Sequence, residues 1–225
     1  MMAAAAAAAT DERRLQLIDG ACEPSSTPSF LTMLSYVVER LVARNDGLVD
    51  DGLEEASWNR KNLSVFNGVR APAISIPKYL ERIYKYTNCS PSCFVVGYAY
   101  VDRLVHRHPQ SLVVSLNVHR LLLTSVMVAS KILDDEHYNN AFYARVGGVS
   151  NADLNRLELE LLFMLDFDVT VSYKVFESYC LHLEKEMKCN GALQTVERAL
   201  FTNGIHNVNV LSIEDQEDIV DSSSL

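Results

Sequence analysis

One segment limits the fold more than any other. Residues 118–133, VHRLLLTSVMVASKIL, have helical spacing but almost no polar face. Leu121, Leu122, Leu123, Val126, Met127, Val128, Ala129 and Ile132 leave nowhere for water to approach. A helix that is apolar all round is buried in a large core or in a membrane. A membrane span needs about 18 or more consecutive apolar residues. Here the densest run, Leu121 to Ala129, is already interrupted by Thr124 and Ser125. The segment therefore reads as the central helix of a bundle, surrounded by other helices.

The flanking sequence supplies those helices. Residues 30–44 repeat Phe30, Leu31, Leu34, Val37, Val38, Leu41 and Val42 at spacings of three and four, with Asn45, Asp46 and Gly47 as a stop. Residues 45–73 read as a loop packed along a surface, anchored by Trp58, Val65 and Phe66. A helix is expected from Ile76 to Thr87, with Pro77 in its first turn, then a break at Asn88 and Cys89. Ser90 and Pro91 start the next, which runs to about His106 before Pro109. A short helix over 139–146 is stopped by Gly147 and Gly148. Ser150-Asn151-Ala152-Asp153 opens another as a capping box, followed by Leu154, Leu157, Leu161 and Leu165. A last helix is expected over Tyr173 to Met187. No stretch alternates as a strand does, so the fold class is all-α.

Three segments follow. Residues 1–29, with an alanine tract and a Ser/Pro stretch, read as a disordered tail. Residues 30–188 form the domain, and 189–225 an acidic tail with a weak helical piece at 192–201. Charge decides between classes of partner. The chain carries 20 basic and 29 acidic residues, net −9, but residues 73–190 carry 12 and 13. A near-neutral centre with acidic flanks lacks the basic footprint of a nucleic-acid binder and suits a protein partner. Five cysteines, an odd number without a C-x-x-C pair, argue against a disulfide framework or a zinc site. Reduced thiols place the chain in the nucleus, the cytoplasm or both. No signal peptide or membrane helix is expected.

Signatures of catalysis are missing. Gly147-Gly148 belongs to no phosphate-binding loop, and there is no H-E-x-x-H, E-x-x-H or G-x-S-x-G. Asp134-Asp135-Glu136-His137 sits at a helix end, where carboxylates oppose the dipole. It reads as a solvated or partner-facing loop, the alternative being a metal site in a helical enzyme. His106 and His108 read as a surface turn, and Cys89 and Cys93 as packing. No cofactor or metal is expected. Two charges stand out: Lys131 near the end of the apolar helix, and Glu158 among the leucines of the helix that begins at 150. On spacing alone each also reads as a solvated side chain, and the chain as a helical interaction module.

Longer motifs add to this. ISIPKYLERIYKYTNCSPSCFVVGYAYVDRL (74–104), NVHRLLLTSVMVASKILDDEHYNNAFYARVGGVS (117–150) and LNRLELELLFMLDFDV (154–169) resemble the cyclin box. The likeness is to the plant P-type (U-type) cyclins, relatives of the yeast phosphate-regulon cyclins, and SVFNGVRAP (64–72) is similar to the same subfamily. The resemblance implies a five-helix box with an extra N-terminal helix and flexible tails. The 37 residues after Lys188 are too few for a second box. It implies a regulatory subunit, not an enzyme, that binds and activates a cyclin-dependent protein kinase in cell-cycle or phosphate-linked control. The alternative is a cyclin-fold adaptor without kinase activation.

Residue by residue, Lys131 in ASKILDD and Glu158 in LNRLELELL match the lysine and glutamate with which cyclins hold the kinase backbone. Ile132, Leu162 and Phe167 match kinase-facing positions, and Asp102 in YVDRL matches an aspartate that supports the box internally. The arginine partner of that aspartate is not at its usual place, since Arg82 sits elsewhere on its helix. The tryptophan of the substrate-docking patch is also missing, Trp58 lying outside the box.

Overall fold

The computed structural model describes residues 27–50 and 63–188. The alanine tract, Trp58, the piece at 192–201 and the acidic tail lie outside the described residues. Within them the secondary structure is helical, with no strand. The elements are α1 (Ser29–Asp50), a short 3-10 helix (Leu63–Phe66), α2 (Ile76–Thr87), α3 (Pro91–Arg107), α4 (Val118–Leu133), α5 (Asn140–Gly147), α6 (Asn151–Met164) and α7 (Tyr173–Lys188).

The apolar helix is central, as its composition requires. From Val118 to Ser130 every residue of α4 except Arg120 is buried. Around it pack α2, α3, α5, α6 and the 3-10 helix. The α3–α4 contact is the most extensive, and Gly97 explains how close it is. A Cβ there would lie 3.1 Å from the backbone nitrogen of Val126 and 3.1 Å from its Cγ2. Helices α2 to α6 make the five-helix box; α1 covers α2 and α3, and α7 packs on α1 and α3.

Local chemistry sets the helix ends. Asn88 takes the left-handed conformation (φ 49°) that stops α2, a geometry asparagine tolerates better than most residues. Asn139 caps α5, its side chain accepting from Phe142 N–H, and Gly148 closes it at φ 69°. Ser150 Oγ accepts from Asp153 N–H at 3.0 Å and donates to the Asp153 carboxylate at 2.8 Å.

One expectation is corrected. Asn45, Asp46 and Gly47 do not stop α1, which runs on to Asp50. The side chains that ordinarily break a helix are engaged elsewhere. Asn45 donates from Nδ2 to Val113 O at 2.9 Å. Asp46 accepts from Ser115 N–H at 3.0 Å and from Ser115 Oγ at 2.6 Å. These bonds fasten α1 to the loop that feeds the central helix. Tertiary partners have removed the competition for local backbone that makes Asn and Asp helix breakers.

Candidate functional site: a charged pair beside an apolar face

Where α4 leaves the core, its first charged side chain is Lys131. Its ammonium lies 2.6 Å from Glu158 Oε1 on α6, across 27 residues of sequence. Both side chains are partly exposed, 27% and 18%. Lys131 stands in the last turn of α4, where the helix dipole favours a cation. The pair is not alone. Lys131 Nζ also donates to Asn140 Oδ1 at 2.6 Å, and Asn140 Nδ2 donates to Glu158 Oε2 at 2.6 Å and to Asn155 Oδ1 at 2.7 Å.

Apolar groups flank the pair. Ile132 is 54% exposed, and α6 presents Leu159 at 55% and Phe163 at 58%. Phe167, just past α6, is 57% exposed and meets Phe163 edge-on at 5.2 Å between ring centres. Leu162, one residue from Phe163, is half-buried against the core. So the sequence-derived residues Lys131, Glu158, Ile132 and Phe167 reach the surface, and Leu162 does so in part. Leu159 and Phe163 were not singled out by the sequence. Their signal was present: they fall at i and i+4 on the side of α6 away from Leu154, Leu157 and Leu161, which are all 0% exposed.

The backbone around Phe167 is held in an uncommon shape. Asp166 and Phe167 take φ of 55° and 58°, left-handed values that favour glycine. Two arginines of α3 clamp this turn. Arg103 donates to the carbonyls of Asp168 and Thr170 and lies 3.2 Å from the Asp168 carboxylate. Arg107 donates to Leu165 O and, at 2.8 Å, to Asp168 Oδ2. Tyr100 OH adds a 2.7 Å bond to Val169 O. A one-turn spacing on α3 thus holds the segment that displays Phe167.

The remaining sequence candidates have structural roles. Asp102 Oδ2 accepts from Tyr179 OH at 2.7 Å, so the box is tied to α7 and not to Arg82, which is exposed on α2. Burial, and the carboxylate beside it, push the Tyr179 hydroxyl well above its usual range. Asp134 is corrected from a solvated loop residue. Its Oδ2 accepts from Ser90 N–H at 3.1 Å and from the Cys93 thiol at 3.2 Å, at the N-terminus of α3. There its charge is favoured by the dipole of a second helix. Hydrogen bonding to Cys89, burial and the Asp134 charge all push the Cys93 thiol upward. His106 Nδ1 contacts Asp102 O at 2.8 Å and His108 Nε2 contacts Met164 O at 3.2 Å, so the two do not form a ligand pair. Among the described residues no helix is long and apolar enough to cross a membrane.

The structure is thus a five-helix box whose third and fifth helices are bridged by a Lys–Glu pair. The comparisons with known proteins give the family. Residues 29–169 match the family model described as Cyclin. The chain is 67% identical over 173 residues to Cyclin-U1-1 of Arabidopsis thaliana, covering 77% of this chain and 80% of that one. It is 52% identical over 166 residues to Cyclin-P1-1 of Oryza sativa subsp. japonica, covering 72% of this chain and 63% of that one. It is 49% identical over 164 residues to Cyclin-U4-1 of Arabidopsis thaliana, covering 73% and 79%. The chain belongs to the cyclin family, and these relatives are plant U-type and P-type cyclins. Cyclins are regulatory proteins and generally not enzymes, and as a family they partner cyclin-dependent kinases.

Proposed function

We propose that the chain is the regulatory subunit of a cyclin-dependent protein kinase, which it binds and activates in cell-cycle or phosphate-linked control in the nucleus, the cytoplasm or both. The observation that carries the reading is the Lys131–Glu158 pair at 2.6 Å beside the exposed Ile132, Leu159, Phe163 and Phe167. Apolar side chains gathered at a charged, hydrogen-bonding centre suit a protein partner better than water.

The mechanism follows from population shift. Phosphoryl transfer by a kinase requires its strand lysine and mobile-helix glutamate to pair, with the metal-binding aspartate in place. A lone kinase holds that helix elsewhere. A subunit that binds the active position preferentially moves the population toward it. Going from 1:99 to 99:1 needs a preference of about 5.5 kcal/mol. Charge-assisted hydrogen bonds from Lys131 and Glu158, at about 1.5–3 kcal/mol each, supply about 3–6 kcal/mol. Burial of the apolar ring adds to it at about 25 cal/mol per Å². This chain contributes no catalytic residue in the proposal.

The test is reconstitution. Purified plant cyclin-dependent kinases are assayed on a peptide substrate with increasing amounts of the chain. A saturable rise in phosphorylation by one of them is expected. Saturable binding without any rise would favour the adaptor reading.

A further inference from the structure

The docking pair has a third member that sequence reasoning did not mark. Asn140 is the first residue of α5, and its neighbour Asn139 already caps that helix. The amide of Asn140 is therefore not needed for the helix end. Instead both its N–H donors and its carbonyl oxygen are engaged on one surface. Oδ1 accepts from Lys131 Nζ at 2.6 Å, and the two Nδ2 hydrogens go to Glu158 Oε2 at 2.6 Å and Asn155 Oδ1 at 2.7 Å. Charge fixes the amide's orientation. A flipped amide would set its NH2 against the ammonium and its oxygen against the carboxylate.

The frame that carries Asn140 is closely packed. Phe142 and Tyr143, two and three residues on, are each 1% exposed. Tyr143 OH donates to Ser130 Oγ at 2.8 Å, one residue before Lys131. Tyr138 stacks on Phe142 at 3.9 Å. An ammonium has three hydrogens and a carboxylate about four acceptor sites. With Glu158 and Asn140 as partners, Lys131 keeps one hydrogen free. Glu158 likewise keeps lone pairs free. Both long side chains are held in one geometry with capacity left for a partner's backbone, which lowers the ordering cost of binding.

We propose that Asn140 is the positioning residue of the docking pair: its amide holds Lys131 and Glu158 in the arrangement that meets the kinase. The proposal rests on the docking reading above, but it acts on the free chain and is testable there. Lys131 held by Asn140 reacts slowly with an amine-acylating reagent. Asn140→Ala frees it. Asn140→Asp keeps an acceptor for Lys131 but sets a carboxylate against Glu158, so it displaces Glu158 and costs more affinity than alanine does, most of all at low salt.

The experiment has two arms on the full-length chain. In the first, acetylation of Lys131 by an N-hydroxysuccinimide ester is followed by mass spectrometry, with the exposed Lys78 and Lys174 as internal references. Asn140→Ala is expected to raise the Lys131 rate several-fold and leave the references unchanged. An unchanged Lys131 rate would overturn the proposal. In the second, affinity for a purified cyclin-dependent kinase that binds the wild-type chain is measured in a mutant cycle. Asn140→Ala is expected to weaken binding about three- to tenfold, and Asn140→Asp further. In the Lys131→Ala, Glu158→Ala background the Asn140 effect should vanish. An equal loss in both backgrounds would overturn the positioning role. Wild-type affinity in Lys131→Ala, Glu158→Ala would instead overturn the docking reading, while faster Lys131 acylation would still support the hold of Asn140 on the pair.

Discussion

Phe167 shows what a single residue gives up for exposure. Its φ of 58° costs an ordinary L-residue about 1–2 kcal/mol, and its ring is 57% exposed, so burial returns little of that. The contact with Phe163 offsets about 0.5–1.5 kcal/mol. Asparagine tolerates the left-handed region better than phenylalanine. Phe167→Asn is therefore expected to leave the free energy of unfolding within about 1 kcal/mol of wild type, measured by urea denaturation, while kinase affinity falls. A large loss of stability would mean that the ring serves the fold and not a partner. Lys131 was not legible on spacing, where a lysine in the last turn of a helix reads as a solvated side chain, and only the longer motif marks it. Glu158 was not legible on spacing, because a glutamate between Leu157 and Leu159 looks solvated. Only the longer motif, and then the 2.6 Å contact, distinguishes it. Asn140 was invisible, since its neighbour Asn139 carries the recognisable capping signal.

Helix α6 divides its labour between two faces. Leu154, Leu157 and Leu161 are 0% exposed, whereas Leu159 and Phe163 are more than half exposed. Leu161→Ala should cost about 2–5 kcal/mol, as large-to-small changes in a packed core do. Leu159→Ala should change stability by less than about 0.5 kcal/mol and yet reduce kinase binding. Thermal melts of the two variants beside a binding assay check this, and equal melting temperatures would refute the assignment of faces. At this scale the sequence was most informative where periodicity was strong: α2, α4 and α6 begin where caps, proline and spacing indicate. It misled at the end of α1, because the partners of Asn45 and Asp46, Val113 and Ser115, lie 68 and 69 residues away. The arginine clamp from α3 was unreadable for the same reason, since its targets are backbone carbonyls 58 to 67 residues on.

Across the whole molecule the two ends of α4 differ. The C-terminal end carries the charged pair. The N-terminal end buries His119, whose Nε2 contacts Ile74 O at 2.9 Å and whose ring meets Tyr79 edge-on at 4.9 Å. Its Nδ1 is buried without a hydrogen-bond partner. Burial holds the imidazole below its ordinary range despite the Ile74 bond, so the folded state keeps it neutral. The unfolded chain then binds the proton more readily, and stability must fall as pH drops below about 6.5. One such group contributes a slope of at most about 1.4 kcal/mol per pH unit. His119→Gln should flatten the dependence below about pH 6.5, read from urea midpoints at each pH. An unchanged slope would place the sensitivity elsewhere.

One measurement tests the proposed docking surface most directly. Lys131→Ala combined with Glu158→Ala removes both charges at once, so neither partner is left buried and unpaired. The affinity of this variant for the purified kinase is compared with wild type by calorimetry, with circular dichroism melts as the control for folding. Loss of two charge-assisted hydrogen bonds is expected to weaken binding about 100-fold or more, with a near-normal helical spectrum. Wild-type affinity in a folded double variant would contradict the assignment of this surface to the kinase.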